Sequence, residues 1–293
     1  MPVSIIIPAH NEEKVIVAAL TALLPGIADG SIEVVVVCNG CIDNTAGVAA
    51  AVHPSIICLE TPVASKARAL NLGDHAAKWS PRIYQDADVV LSLDSVAMIA
   101  GALQQGPQLA AAPAMRMEYH DASWAVRSYY ELWQQLPYVR EGMIGSGVYA
   151  LSEQGRRRFD SFPDVIADDG YIRALFRPHE RLLVENSWSS VRAPVNLGGL
   201  IAIKTRSRRG RYELAKKNPE LMKNEEKSYG KALLPLVGSI SLWPKIAVYF
   251  YVNMAARILA GFHSAGEGNT TWERDETSRD SQLRQKNNNG EMV

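Results

Sequence analysis

Asp86-Ala87-Asp88 sets two carboxylates two residues apart. They follow the strand-like residues 82–85, so both could reach one hard divalent cation or its water shell. Oxygen donors of this kind suit Mg²⁺ or Mn²⁺ bridging the oxygens of a diphosphate; the same spacing also suits a solvated turn. A second acidic pair, Asp168-Asp169, opens a helix-like stretch at residues 168–176. There a carboxylate could serve as a general base, or the pair could simply favour the positive end of the helix. His10 could also be a base, or an ordinary turn histidine. Asn39 and Asp43 flank Gly40 and could hold a nucleoside by hydrogen bonds, or shape the turn. Lys66 and Arg68 could approach phosphates, or form the polar face of a helix. Cys38 and Cys41 form a CxxC, but no second ligand pair and no histidine at ligand spacing follows, so they read as strand-end residues. With Cys58 the cysteines number three, which is no disulfide framework.

The elements that must position these residues can be read from apolar patterning. Residues 3–7 are a short β-branched run ending at Pro8. Asn11 offers an N-cap, Glu12 and Glu13 suit a first helical turn, and apolar residues recur at helical spacing up to Pro25. Residues 33–38 contain four consecutive valines, as expected of a parallel strand buried on both faces. Residues 43–52 read as helix, 56–59 as strand, 65–77 as helix and 83–85 as the start of another strand. This alternation predicts a doubly wound, mostly parallel α/β sheet with helices on both faces. Ligands of such sheets sit beyond the carboxyl ends of the strands, where Pro8–Glu12, Asn39–Asp43 and Asp86–Asp88 all fall. Further on, residues 109–117 and 148–151 read as strands and 124–135 as an aromatic-rich helix.

Composition bounds the rest. Lys+Arg and Asp+Glu both number 31, a balance that argues against a general nucleic-acid binder. At 47% hydrophobic and 21% charged residues the chain can bury a sizeable core. The first residues lack the basic start and long apolar run of a signal peptide, so a cytoplasmic catalytic part is expected. The expected organisation is a catalytic domain over 1–215 (a nucleotide-binding half at about 1–105, an acceptor half at about 106–215), a helical apolar segment at 216–263, and a polar, poorly ordered tail at 264–293.

Taken in order, IIIPAHNEE, VVVVCNGCIDNT, ASKARALNLG, YQDADV, and IGSGVYALS followed by ADDGY resemble the motifs of glycosyltransferase family 2, with its GT-A fold. The resemblance runs over roughly residues 3–215. It implies a nucleoside-diphosphate sugar donor (a UDP-sugar is favoured), a divalent metal, Mg²⁺ or Mn²⁺, and inversion at the anomeric carbon. Carried over residue by residue, Pro8, Glu12, Asn39 and Asp43 would line the nucleoside pocket, with Lys66 near it. Asp86 would contact ribose or metal-bound water, Asp88 would ligate the metal, and Asp169 would be the base with Asp168 as its neighbour. The acceptor would be a saccharide or a lipid-linked saccharide of cell-surface polysaccharide synthesis. Asn39 stands where an aspartate is frequent, and Asp-Asp replaces Glu-Asp. The QxxRW motif of processive synthases is absent; Arg206, Arg208, Arg209 and Arg211 occupy a comparable region and could grip the diphosphate. Two other readings stay open on the residues alone: a nucleotidyltransferase acting on sugar phosphates, disfavoured by the acidic PAHNEE loop, and a catalytically inactive nucleotide-binding scaffold.

The apolar stretch at 233–262 has two readings. Residues 246–262 are short of the roughly 20 needed to span a bilayer. Lys245, Arg257 and the aromatics Trp243, Tyr249, Phe250, Tyr251 and Phe262 suit a helix lying in a membrane interface on the inner face of the cell membrane. The basic run at 204–217 would favour anionic headgroups. A helix packing on the domain is the alternative.

Overall fold

The computed structural model describes residues 2–136, 139, 143, 145–225 and 238–264. The predicted tail at 264–293 lies outside the described residues except for Ser264, and so does the start of the apolar stretch, 233–237. The chain divides into two compact units, one of Met1–Arg116 with Glu141–Val191, the other of Met117–Arg140 with Arg192–Val293.

The first unit begins β1 (Val3–Ala9), α1 (Ile16–Ala28), β2 (Ile32–Asn39), α2 (Thr45–Ala50), β3 (Ile57–Thr61), α3 (Lys66–Ala76) and β4 (Arg82–Gln85). It continues through β5 (Val90–Leu91), α4 (Leu93–Gln105) and β6 (Ala110–Glu118). The eight strands lie in the order β3-β2-β1-β4-β7-β6-β8-β5, where β7 is Val148–Leu151 and β8 is Arg181–Arg192. β3, β2, β1 and β4 run parallel, while β7 pairs antiparallel with β4 and β6. This is the expected α/β sheet, curled and flanked by helices.

The valines of β2 explain the layering. Val34 and Val36 join Ile5 and Ile7 in one core cluster with Ile16, Leu20 and Leu23 of α1 and Val96 and Ile99 of α4. Val35 and Val37 face the other way, packing with Ala69 of α3. A parallel strand covered on both faces needs this unbroken apolar run. Register then aligns the strand exits: Ala9 lies opposite Cys38, and Ile6 opposite Tyr84. A buried polar cluster beneath α3 holds it in place. Asp74 accepts from Tyr84 Oη at 2.5 Å and pairs with Arg82 at 2.6 Å and Arg156 at 2.7 Å. Arg156 ends the short α6 (Glu153–Arg156).

The start of α1 departs from expectation. Asn11 is not a helix cap: it adopts φ +51°, and the helix begins only at Ile16. Asn11 Oδ1 instead accepts the Ile42 amide at 2.7 Å, which joins the β1 and β2 loops. The helix also continues through Pro25 to Ala28. Proline costs a helix one hydrogen bond there, close to an end where carbonyls are already unpartnered within the helix.

The second unit contains α5 (Trp124–Trp133), α8 (Leu197–Lys217) and α9 (Trp243–Ser264), which pack on one another. The intervening α7 (Asp168–Leu175) belongs to the first unit. Asn196 caps α8 by accepting the Gly199 amide at 2.9 Å. Lys204 of α8 lies over three rings of α5, 4.1 Å from the Trp133 centroid and 5.1 and 5.2 Å from those of Tyr129 and Tyr130. Tyr129 in turn stacks on Tyr249 of α9 at 5.3 Å. Tyr249, Val252, Ala256 and Ala260 make a buried stripe at near-helical spacing, so one face of α9 packs.

Candidate active site at the carboxyl edge of the sheet

Two groups of predicted residues come together at the strand exits. The first ties the β1 loop to the β2 turn. Pro8 is buried near the end of β1. The Glu12 amide donates to Thr45 Oγ1 at 2.8 Å, and its side chain is buried. The Glu13 amide donates to Asp43 Oδ2 at 3.2 Å, and the Asn44 amide to Glu13 Oε2 at 3.0 Å. Asp43 Oδ1 also accepts the Thr45 amide at 3.1 Å, which starts α2. Asn39 is fully buried; its Nδ2 donates to the Ala9 carbonyl at 2.8 Å, and its own carbonyl meets His10 Nδ1. Asn39 therefore fastens β1 to β2. His10 is engaged by that backbone carbonyl, so it shapes the loop. Cys41 Sγ accepts the Asn11 amide at 3.3 Å, and the Cys38 thiol hydrogen-bonded to it lowers its pKa to about 6.

The second group centres on Lys66, the first residue of α3. Ser65 caps that helix through the Arg68 amide at 3.2 Å, so the lysine leaves a fixed helix start. Gly40, at φ +59°, lets the β2 turn pack against Ala64 just before it; a Cβ there would fall 2.8 Å from Ala64 Cβ. Lys66 Nζ lies 2.7 Å from Asp86 Oδ1 and 2.8 Å from Asp168 Oδ1. Tyr149 of β7 donates its hydroxyl to Asp168 Oδ2 at 3.2 Å. Burial opposes the charge on Lys66, but the carboxylates of Asp168 and Asp86 outweigh it and hold the ammonium above its ordinary range.

The turn carrying Asp86 and Asp88 is braced by β7. The Asp86 amide donates to the Gly147 carbonyl at 2.8 Å, and the Val89 amide closes back on Asp86 at 3.1 Å. Gly147 sits at φ +61°, where a Cβ would come within 2.5 Å of Val89 Cγ2 and 3.3 Å of Asp86 Oδ2. A side chain there would crowd the acidic turn. Asp86 is part-exposed and Asp88 exposed. Burial pushes the Asp86 pKa up against the pull of Lys66, and the charges of Asp168 and Asp88 add to the rise.

Asp169 is the second residue of α7, and Asp168 the first. Asp168 is committed to Lys66 and Tyr149. Asp169 accepts the Gly170 amide at 2.7 Å, and burial, followed by the charge of Asp168, raises its pKa to about 6. The two carboxylates thus differ in kind: one is held in an ion pair, the other is basic near neutral pH. Divergent environments of this sort are how one acidic pair divides its roles.

Tyr149 and Gly147 were not foreseen. The run IGSGVY carries a signal for Gly147, since two glycines ahead of a strand suggest close backbone approach. Nothing local announces Tyr149. Lys66 was expected near the nucleoside pocket; its ion pairs with Asp86 and Asp168 are found only in the fold. Arg206, Arg208, Arg209 and Arg211 lie on α8 in the second unit, where Arg208 donates to Asn253 Oδ1 at 3.2 Å.

Removing the lysine tests this cluster. Lys66→Met leaves Asp86 and Asp168 facing each other without their cation. The unfolding free energy should fall by about 2–3 kcal/mol, less than the about 3–5 of a fully buried pair because water reaches Asp86. Denaturant titration at pH 7 reads it. A variant as stable as the parent would show the pairs to be without weight.

A mixed α/β sheet with an acidic turn at the exit of β4 and a carboxylate pair opening a nearby helix is the GT-A architecture. The chain belongs to glycosyl transferase family 2, whose domain it matches over residues 4–159, more than half its length. It is a glycosyltransferase, which decides against the nucleotidyltransferase and scaffold readings. Among solved structures it is similar to the mannosyltransferase PcManGT from Pyrobaculum calidifontis in complex with GDP-Man and Mn²⁺, at 17% identity and TM-score 0.60, covering 98% of this chain and 80% of that one. It is also similar to S. aureus TarS 1–349 in complex with UDP-GlcNAc, at 12% identity and TM-score 0.53, covering 98% and 92%. At these identities the likeness speaks for the fold. No curated protein sequence matches the chain.

Proposed function

We propose that this glycosyltransferase moves a sugar from a nucleoside diphosphate to an acceptor hydroxyl with inversion, Asp169 being the base. The observation that carries the reading is the cluster of Lys66, Asp86, Asp168 and Asp169 at the sheet edge, in which Asp169 has a raised pKa and, unlike Asp86 and Asp168, is not paired with Lys66. Asp169 takes the proton of the acceptor hydroxyl as that oxygen attacks the anomeric carbon from the face opposite the diphosphate. The bond to the diphosphate breaks, and its electron pair leaves with the nucleotide. Lys66 holds Asp168 in place, so Asp168 orients the start of α7 and its charge raises the basicity of its neighbour. Glu12, Asn39 and Asp43 shape the nucleoside end of the pocket through the bonded loops after β1 and β2.

The residues fit a divalent metal. Among the described residues no group of three His, Cys, Asp or Glu side chains could hold one. Two carboxylates at one turn nevertheless suit a hard cation that keeps waters and takes further oxygens from a diphosphate. Asp88 would hold it; Asp86, whose Oδ1 faces Lys66, would reach it through Oδ2 or a bound water. Mg²⁺ or Mn²⁺ bound there would neutralise charge on the leaving diphosphate.

A UDP-sugar is our first choice of donor and a GDP-sugar the second, since TarS and PcManGT are similar in fold and hold one of each kind. A saccharide or lipid-linked saccharide is the proposed acceptor. The test is slow hydrolysis of a panel of UDP- and GDP-sugars by the whole protein with Mn²⁺. One donor should be turned over, with inverted anomeric product by NMR, and chelation should return the rate to background. Turnover of none, together with no metal-dependent nucleotide binding, would overturn the reading.

A further inference from the structure

We propose that the outward face of α9 is a docking surface for an anionic lipid bilayer, a property independent of which sugar is transferred. Sequence alone leaves this stretch undecided between packing and interfacial binding. The structure separates two faces. Tyr249, Val252, Ala256 and Ala260 are turned inward and buried. Trp243, Phe250, Tyr251, Met254, Ile258 and Phe262 are each more than half exposed. At about 100° per residue these six fall within an arc of about 120° along the helix. Ile240, in the turn that precedes it, is 79% exposed as well.

A contiguous apolar face of this kind needs an occupant, and its chemistry points to lipid. Tryptophan, tyrosine and phenylalanine are the side chains that settle at a water–hydrocarbon boundary. Among the described residues no helix is long and apolar enough to cross a membrane, so α9 would lie in the interface plane. Charge agrees. The 22 residues of α9 include Lys245 and Arg257 and no Asp or Glu. Lys245 pairs with Glu131 at 2.5 Å, while Arg257 is exposed at the flank of the apolar arc. α8, packed beside α9, carries the basic run at 204–217, of which Arg211, Lys216 and Lys217 are exposed. Phosphate headgroups would answer this positive rim. A second copy of the helix would not: in a two-fold pair the face offers Arg257 no carboxylate from its mate.

The experiment uses the full chain with sedimented vesicles of phosphatidylcholine, with and without phosphatidylglycerol. The protein should partition onto the phosphatidylglycerol vesicles, and added salt should weaken this. Phe250→Ser with Met254→Ser should lower the partition coefficient by about tenfold or more by removing two inserted side chains. Arg257→Glu should weaken binding to the anionic vesicles selectively. Because all three positions are exposed, the thermal unfolding midpoints should match the parent, which separates lost docking from lost folding. The proposal fails if the parent stays in the supernatant with both vesicle types, or if the double variant partitions as the parent does. It also fails if light scattering finds a parental dimer that the double variant abolishes, for the face would then serve self-association.

Discussion

Asp169→Asn is expected to lower the transfer step by about 10²–10⁴-fold while leaving donor affinity near normal. The amide keeps the shape of the carboxylate and removes its basicity. Donor contacts are proposed from other residues, so binding of a nucleoside diphosphate with Mn²⁺, read by calorimetry, should survive. The pH profile makes the claim sharper. Burial and the charge of Asp168 raise the Asp169 pKa to about 6, so below that pH the base carries a proton and is idle. The parental kcat/KM should therefore climb as pH rises through about 6 and then level, and this limb should vanish in Asp169→Asn. Asp168→Asn weakens the pair with Lys66 and should be milder in the chemical step. A dead Asp168→Asn beside a fully active Asp169→Asn would swap the two roles.

The second large effect is at Asp88. Asp88→Ala should abolish the metal dependence of donor binding and reduce turnover to the level found with chelator. The exposed position at the β4 exit predicts an unaltered fold, checked by circular dichroism and the unfolding midpoint. The Asp86 variant would be less clean, because Asp86 also partners Lys66. Unchanged nucleotide affinity and unchanged metal dependence in Asp88→Ala would remove Asp88 from the proposed metal site.

How much of this was legible in the sequence differs by element. β1 and β2 announce themselves through β-branched apolar runs, as buried parallel strands require, and the polar residues that follow then mark the ligand edge. β8 was not foreseen. RLLVENSWSSVR lacks clear alternation, yet Ser187 and Ser189 are fully buried, their hydroxyls donating to the carbonyls of Val184 at 2.8 Å and Ser146 at 2.7 Å. A satisfied serine behaves as a core residue, which no hydropathy pattern reveals. α8 was hidden by its charge, since KTRSRRGRYELAKK reads as a patch before it reads as a helix. In the site, the residue types were legible and their partners were not. Lys66 meets Asp168 only because β7 inserts antiparallel beside β4, with Gln85 opposite Val148, and this places Tyr149 against the start of α7. Pairings of that kind depend on topology, which local sequence does not carry.

The bonds between the β1 loop and the β2 turn have a thermodynamic consequence. Asn11, Glu12 and Glu13 are fastened to Ile42, Thr45, Asp43 and Asn44 by four hydrogen bonds between 2.7 and 3.2 Å. Fixing the backbone of each loop residue costs about 1–2 kcal/mol in lost conformational freedom. Here that freedom is already given up when the chain folds, so a nucleoside arriving at this edge meets a wall that need not be ordered for it. Affinity at the nucleoside end is then set by fit rather than by the entropy of closing a loop.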